Sequence, residues 1–121
     1  FGASKHMAKA VLTAMKYDPS VRAAANIKFD KKIIEVAKKL GMTISSYDRR
    51  LEPPEIKGKE GASIPWGIEY AIMKASGKVP DIIYHTGDWG KEPMINVFGR
   101  TATEVANKIV ALAKALHNEK L

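Results

Sequence analysis

The hydrophobic positions of this chain recur at two spacings, one typical of amphipathic helices and the other of short strands. Ile33, Ala37 and Leu40 fall every three or four positions and predict a helix with one buried face. Shorter apolar runs between such segments predict strands. The predicted helices cover residues 4–17, 30–40, 63–75 and 101–116, and the predicted strands cover residues 21–29, 42–47, 79–84 and 94–98.

Residues at the ends of these segments support their boundaries. Pro19 disfavours helical geometry at Asp18 and therefore ends the first helix. Asp30 is placed to cap the second helix, and Thr101 with Glu104 matches a capping box at the start of the last one. Residues 21–29 combine alanines that favour helix with flanks that favour strand, and the helix directly after them favours the strand.

The resulting order α-β-α-β-α-β-β-α predicts an α/β fold in which helices cover both faces of one sheet, a three-layer α/β/α sandwich. Residues 82–98 should form an antiparallel hairpin, so the sheet is expected to be mixed. Residues 48–62 hold charge, proline and glycine without apolar periodicity. They therefore form either a mobile lid or a plain solvated connection.

A length of 121 residues fits one domain, so residues 1–121 are taken as a single unit. The abrupt start at Phe1 suggests a domain excised from a longer chain. No apolar run approaches the roughly 20 residues of a membrane span. No membrane association is therefore expected, and the default location is cytoplasmic. The absence of cysteine excludes disulfides, cysteine-bound zinc and thiol nucleophiles.

The net charge of +7 and the pI of about 9.6 suit an anionic partner, either a small phosphorylated substrate or a nucleic acid. Aromatic residues make up only 7% of the chain, and the lysines lie on a predicted helix face and in a loop rather than along one stripe. These two features disfavour nucleic acid.

Polar residues that could support chemistry cluster at predicted strand ends, where ligands often bind in open α/β sheets. Near the end of the first predicted strand are Asn26 and Lys28, and after the second strand come Asp48, Arg49 and Arg50. Between the third and fourth strands lie His85, Asp88, Lys91 and Glu92. Ser63 adds a helix start that suits phosphate. Each also has an ordinary role as a cap, a turn residue or a surface ion pair.

Familiar catalytic signatures are absent from the sequence. It has no P-loop, no G-x-S-x-G elbow and no dinucleotide fingerprint, and its three histidines lack metal-ligand spacing. No metal site built by the protein alone is therefore expected. The cations and helix starts suit electrostatic work on phosphate, whose oxygens arginine can hold in a bidentate way.

Several short motifs occur in a specific order and spacing. They are residues 7–12 (MAKAVL) with 17–19 (YDP), 22–27 (RAAANI), 48–49 (DR), 66–67 (WG) and 90–94 (GKEPM). Together they resemble the ThiN-type thiamine-phosphate synthase domain over about residues 4 to 116. The resemblance implies a class II aldolase-like form of the α/β/α sandwich. It also implies a domain fused behind a hydroxymethylpyrimidine phosphate kinase.

The resemblance implies that the domain joins hydroxymethylpyrimidine diphosphate to hydroxyethylthiazole phosphate and releases pyrophosphate. It points to a catalytic arginine and histidine, which are placed on Arg49 and His85, with Arg50 open as the alternative arginine. Arg49 and Lys91 would hold the departing diphosphate, and His85 would act as an acid or orient the leaving group.

The remaining residues are expected to bind substrate around Arg49 and His85. They are Asn26, Lys28, Asp48, Arg50, Ser63, Trp66, Gly67, Asp88, Gly90, Lys91 and Glu92. Trp66 or Trp89 would stack on a substrate ring. The one expected cofactor is Mg²⁺ bridging the diphosphate, held partly by Asp48 or Asp88.

A rival function belongs to another class. Domains of this kind also serve as ligand-sensing modules attached to DNA-binding domains, where they lack the catalytic residues of the enzyme. The presence of both Arg49 and His85 favours the enzyme. A homo-oligomer in which a neighbouring subunit completes the site is a further open alternative.

Overall fold

The computed structural model describes residues 2–59, 61–87 and 92–119. Its helices are α1 (Gly2–Tyr17), α2 (Lys31–Lys39), α3 (Pro54–Lys57), α4 (Ser63–Lys74) and α5 (Ala102–Glu119), and its strands are β1 (Ala23–Lys28), β2 (Ile44–Ser46), β3 (Ile82–His85) and β4 (Met94–Gly99). The predicted order of helices and strands is confirmed. None of the helices in the described ranges is long and apolar enough to cross a bilayer.

Residues 48–62 differ from the plain loop that the sequence predicts. A 3-10 turn at Arg49–Leu51 follows Asp48, whose side chain accepts a hydrogen bond from the Arg50 amide. Helix α3 then starts with proline in its first turn, a position that proline favours. The apolar period that reveals longer helices cannot appear in elements of three or four residues, so the sequence gives no signal for them.

The four strands form one mixed sheet in the order β1-β4-β3-β2. Strand β4 is antiparallel to both β1 and β3, and β2 is parallel to β3, so the predicted hairpin is confirmed. The alanines of β1 take the strand conformation because each pairs with a residue of β4, while Ala24 packs on one face of the sheet and Ala25 on the other. Tertiary pairing here outweighs their helix propensity.

Two buried clusters lie on opposite faces of the sheet and make the fold three layers thick. The first joins α1 and α4 to the sheet through Ala10, Ala14, Ile68, Ala71, Ile72, Ile83 and Phe98. The second joins α2 and α5 to it through Ile34, Val36, Ala37, Ile82, Ile95, Val97, Val105 and Leu112. Because strand side chains alternate between faces, β4 divides its residues between the two clusters.

Gly67 lets α4 approach the residue that follows β2. A Cβ atom built on Gly67 would stand 2.3 Å from Cε2 of Tyr47, closer than atoms can pack. Tyr47 is 4% exposed and lies in the α1 and α4 cluster. Nearby, the Ser45 hydroxyl donates a hydrogen bond to the Ala71 carbonyl at 2.7 Å, which also holds β2 against α4.

Asp81 joins three elements at the end of the sheet where β3 begins. Its carboxylate accepts hydrogen bonds from the Thr43 amide at 2.8 Å and the Thr43 hydroxyl at 3.1 Å, and it pairs with Lys108 of α5 at 2.8 Å. Burial alone would raise the pKa of Asp81, but the hydrogen bonds from Lys108 and Thr43 outweigh it and lower the pKa. This network stabilises the fold.

Substituting Gly67→Ala should destabilise the protein by about 1–3 kcal/mol, because the new methyl group must displace the Tyr47 ring. Chemical unfolding at neutral pH measures the change. Gly58→Ala is the matched control, since its Cβ would have ordinary contacts of 3.6 and 4.0 Å with the carbonyl oxygens of Pro54 and Glu55. Equal stability of both variants would contradict the close packing at Gly67.

Substituting Asp81→Asn should lower the free energy of unfolding at pH 7 by about 1–3 kcal/mol, because charge-assisted hydrogen bonds are weakened. A carboxylate with a lowered folded pKa stabilises the fold above its unfolded pKa and loses that contribution as pH falls through the folded pKa. The difference between wild type and variant should therefore shrink below about pH 3.8. Urea unfolding across this range measures it, and a pH-independent difference would contradict the assignment.

Candidate functional site

Three of the residues predicted at strand ends, Lys28, Asp48 and His85, lie at the same end of the sheet. His85 ends β3 and Lys28 ends β1, and both pair with Met94 of the intervening strand. Asp48 lies two residues beyond β2, which runs parallel to β3. The carboxyl ends of β1, β2 and β3 therefore lie at the same end of the sheet, where open α/β sheets commonly bind ligands.

His85 is the central side chain at this end of the sheet and is only 3% exposed. Its Nδ1 accepts a hydrogen bond from the Gly87 amide at 3.1 Å, so the proton of the neutral ring lies on Nε2. Gly87 has φ of 89°, a conformation that glycine adopts without strain. Burial, together with the nearby charge of Arg49, lowers the pKa of His85 to about 4. The imidazole is therefore a neutral hydrogen-bond donor at physiological pH.

Tyr47 packs against this histidine. The two ring centres lie 5.1 Å apart with the planes tilted by 38°, and the Trp66 ring meets Tyr47 edge-on at 6.0 Å. Burial raises the pKa of Tyr47 to about 12, against the lowering effect of Arg49 and with a further increase from Glu52. The phenol is therefore neutral and fixed between aromatic neighbours.

The two arginines after Asp48 have different surroundings. Arg50 is exposed and makes a bidentate contact with Asp48, in which its Nε donates to Oδ1 at 3.0 Å and its Nη2 donates to Oδ2 at 2.8 Å. Hydrogen bonds from Arg50 lower the pKa of Asp48. Arg49 is half-buried and forms no ion pair with residues in the described ranges. Its charge instead acts on His85 and Tyr47.

Asn26 and Lys28 lie on β1, on the same sheet face as His85. Asn26 is half-buried and pairs with Asn96 of β4, itself 4% exposed, whereas Lys28 is exposed. Glu92, just before β4, is also exposed.

Helix α4 contributes three predicted residues. Ser63 is its first residue, the cap position falls on Ala62, and no side chain caps the helix. Trp66 is half-buried, and Gly67 is buried beneath Tyr47. The remaining predicted residues, Asp88, Gly90 and Lys91, lie outside the described residues, as does Trp89.

The sequence analysis did not identify Tyr47 and Glu52 as buried residues of this region. Tyr47 reads as the last residue of a strand, and Glu52 reads as one charge among many in a polar loop. Glu52 is in fact only 7% exposed. The available signal was Gly67, because a glycine inside a helix often marks a close approach by a neighbouring group.

Two cavities border this region and share the Tyr70 side chain. The larger, of about 570 Å³, is mostly apolar and is lined by Ile56, Ala62, Pro65, Trp66, Glu69 and Tyr70. Its volume is within the usual range for small-molecule sites. The smaller, of about 200 Å³, lies beside Tyr47, and Lys74 on its wall donates to the Ser46 hydroxyl at 3.3 Å.

A metal site has little support from the described residues. No group of three or more His, Asp or Glu side chains suited to a metal ion occurs within them. Both carboxylate oxygens of Asp48 already accept hydrogen bonds from Arg50. The described residues therefore do not by themselves form a cage for Mg²⁺, and Asp88, the other expected ligand, lies outside them.

The imidazole of His85 should stay neutral in NMR titrations from pH 8 down to about pH 5 and then protonate with a midpoint near pH 4. Because the unfolded chain binds this proton near pH 6.5, stability should fall as pH decreases from about 6.5 towards 4. A His85→Gln variant assigns the resonance and should show a weaker pH dependence. A midpoint near 6.5 in the folded protein would contradict the burial and charge described here.

A sequence model for the family described as thiamine-phosphate synthase ThiN matches residues 1–111 of this chain. Two curated relatives are each 46% identical over 114 residues, 94% of this chain. One is the thiamine-phosphate synthase ThiN of Methanothermobacter thermautotrophicus. The other is the bifunctional thiamine biosynthesis protein ThiDN of Methanocaldococcus jannaschii.

Solved structures agree with these relatives. The crystal structure of the C-terminal domain of a phosphomethylpyrimidine kinase superposes with a TM-score of 0.83 at 57% identity and covers 93% of this chain. The chain spans 62% of that structure, 60% of the Methanothermobacter relative and 26% of the Methanocaldococcus relative. By the extent of the family match and the identity to these relatives, the chain belongs to the thiamine-phosphate synthase ThiN family.

Proposed function

We propose that this chain is the catalytic part of a thiamine-phosphate synthase. The reaction joins hydroxymethylpyrimidine diphosphate to hydroxyethylthiazole phosphate and releases pyrophosphate. The observation that supports it most is the buried, neutral His85 next to the half-buried Arg49 at the ligand-binding end of the sheet. Family membership supports the proposed reaction, and the geometry supports the roles proposed for these two residues.

In the proposed reaction, the bond between the pyrimidine methylene carbon and the diphosphate oxygen breaks, and its electron pair leaves with pyrophosphate. The thiazole nitrogen supplies the pair for the new carbon–nitrogen bond. That nitrogen carries no proton before attack, so the step needs no general base. The main catalytic task is to stabilise negative charge growing on the leaving group.

Arg49 and His85 suit this task in different ways. The Arg49 guanidinium is not paired with a described acidic residue, so it is available to bind diphosphate oxygens in a bidentate way. His85 has its Nδ1 occupied by Gly87, which leaves the Nε2 hydrogen to donate to a diphosphate oxygen. Its lowered pKa favours hydrogen-bond donation over proton transfer, so of the two roles expected from the sequence we favour orienting the leaving group.

Arg50 and the loop before β4 have supporting roles in the proposal. The Arg50 fork neutralises Asp48 and holds the turn that presents Arg49. Lys91, Asp88, Gly90 and Glu92 would contact substrate from the connection between β3 and β4. Mg²⁺ would bind mainly through the diphosphate oxygens and would neutralise part of their charge.

Three broader proposals accompany this function. We infer that the fold is of the class II aldolase-like type, which agrees with its mixed sheet between two helical layers. A kinase domain fused upstream is supported by the names of the bifunctional relative and of the matched crystal structure. A cytoplasmic location is consistent with such a biosynthetic enzyme.

Removing either side chain should lower kcat by about 100- to 1000-fold, because each is proposed to stabilise charge mainly in the transition state. Arg49→Ala should cost little stability, whereas His85→Ala truncates a buried side chain and should also lower the melting temperature. The measurement is thiamine phosphate formation by the full-length protein carrying Arg49→Ala or His85→Ala, with both substrates and Mg²⁺ present. Arg50→Ala should have a smaller effect. Arg100→Ala is the matched control, because this exposed arginine lies at the far end of β4.

Wild-type rates in both Arg49→Ala and His85→Ala would reject the proposed roles. A wild-type protein that binds thiamine phosphate tightly but forms no product would instead support the sensor function. Melting temperatures of each variant separate a loss of chemistry from a loss of fold.

A further inference from the structure

Two buried polar atoms lack hydrogen-bond partners in the part of the chain that the structure describes, one on the tyrosine that packs against His85 and one just after the turn that contains Arg49. They are the hydroxyl oxygen of Tyr47 and the Oε2 atom of Glu52. Their side chains belong to residues that are only 4% and 7% exposed. Buried polar groups are almost always paired in folded proteins, because leaving one unpaired costs stability. Two such groups in one region call for a specific explanation.

The Tyr47 hydroxyl is held in place by packing on several sides of its ring. His85 lies 5.1 Å from the ring centre, Trp66 meets it edge-on at 6.0 Å, and Gly67 brings the α4 backbone against Cε2 and Cζ. The ring therefore cannot turn to find a protein partner without disturbing this packing. Its hydroxyl position is preorganised.

Glu52 is anchored by its backbone rather than by its side chain. It follows the 3-10 turn that contains Arg49, and its amide donates a hydrogen bond to the Arg49 carbonyl at 3.2 Å. The carboxyl group is close enough to Tyr47 to raise the pKa of that phenol, yet the two groups are not hydrogen-bonded to each other. An unpaired donor and an unpaired acceptor therefore lie in the same region, the donor on the ring that packs against His85 and the acceptor just after the turn that contains Arg49.

We propose, resting on the proposed function, that the Tyr47 hydroxyl and the Glu52 carboxyl form the subsite that recognises the amino-substituted edge of the pyrimidine substrate. The phenol would donate to a ring nitrogen, and the carboxyl oxygen would accept from the exocyclic amino group. This edge presents an acceptor next to a donor, which complements the two unpartnered groups.

The other parts of the substrates fit this subsite less well. Phosphate groups offer only acceptors and negative charge at neutral pH, so a carboxyl group would repel them. A thiazole ring has no exocyclic amino donor for Glu52. Trp66 and Tyr70, whose ring centres lie 5.6 Å apart, provide flat surfaces nearby for a heteroaromatic ring. The pyrimidine is therefore the part that these residues select.

The position of Glu52 also agrees with the proposed reaction. The methylene group is attached to the ring carbon next to the amino-bearing carbon, so it would lie on the Glu52 side of the pyrimidine, and Glu52 directly follows the turn that contains Arg49. The leaving diphosphate would then lie within reach of the two groups proposed to stabilise it. Tyr47 also lines the cavity of about 200 Å³.

The test compares stability with ligand affinity in full-length protein carrying Tyr47→Phe or Glu52→Gln. Each change removes or alters a group that has no partner among the described residues of the free protein, so the melting temperature should stay the same or rise. Binding of thiamine phosphate, which contains the same pyrimidine, should weaken by about 10-fold in each variant when measured calorimetrically. The KM for the pyrimidine diphosphate should rise, and the KM for the thiazole phosphate should stay unchanged.

Tyr17→Phe and Glu55→Gln are matched controls. Tyr17 packs on the same core cluster but its hydroxyl is hydrogen-bonded to Glu69, and Glu55 is an exposed carboxylate in α3. Both should bind thiamine phosphate like the wild type. A pyrimidine diphosphate analogue with hydrogen in place of the amino group adds a test on unmodified protein. Wild type should bind it about 10-fold more weakly than the true substrate. Glu52→Gln should discriminate less between the two, because a neutral amide oxygen accepts a hydrogen bond more weakly than a carboxylate does.

The outcomes separate the two proposals. A wild type that forms product, with variants that bind thiamine phosphate normally and lose stability, would mean that a buried water joins the two groups and would overturn the subsite alone. Equal wild-type affinity for the analogue and the substrate would overturn it as well, even if a variant failed to fold. A wild type that neither forms product nor binds thiamine phosphate would reject the proposed function and the subsite with it.

Discussion

The contact between the Tyr47 ring and the backbone of Gly67 is the constraint on which the candidate site depends. Because position 67 has no side chain, α4 can lie directly against the residue that follows β2. The ring is thereby pressed onto His85, and the imidazole is removed from solvent. Burial then lowers the pKa of His85 and fixes its role as a neutral donor. A packing detail in a helix thus determines a protonation state on a strand.

The two neighbouring arginines after β2 have different surroundings. Arg50 neutralises Asp48 and stabilises the short turn after β2. Arg49, one residue earlier, is left without a described acidic partner, and it acts on the buried rings instead. The two arginines therefore have different partners, because successive side chains in a 3-10 turn point in different directions.

The helices, the strands and the mixed sheet could be predicted because their apolar periods are long enough to detect. The position of Lys28, Asp48 and His85 at the same end of the sheet could also be predicted, because the carboxyl ends of parallel strands lie at the same end. Tyr47 and Glu52 could not, because their burial depends on contacts between segments distant in sequence. Residue type alone does not distinguish a surface carboxylate from a buried one. The short helix α3 could not be predicted either, because four residues are too few to show an apolar helical period.

The register of β4 links the candidate site to the hydrophobic core. Met94 pairs with both Lys28 and His85, while Ile95 and Val97, on the other face, fill the cluster under α2 and α5. A slip of one residue would exchange the two faces and expose that core. The connection between β3 and β4 can therefore change in length or sequence during evolution while the histidine and its strand partners stay in register. The fold separates the part of the site that can vary during evolution from the part that cannot.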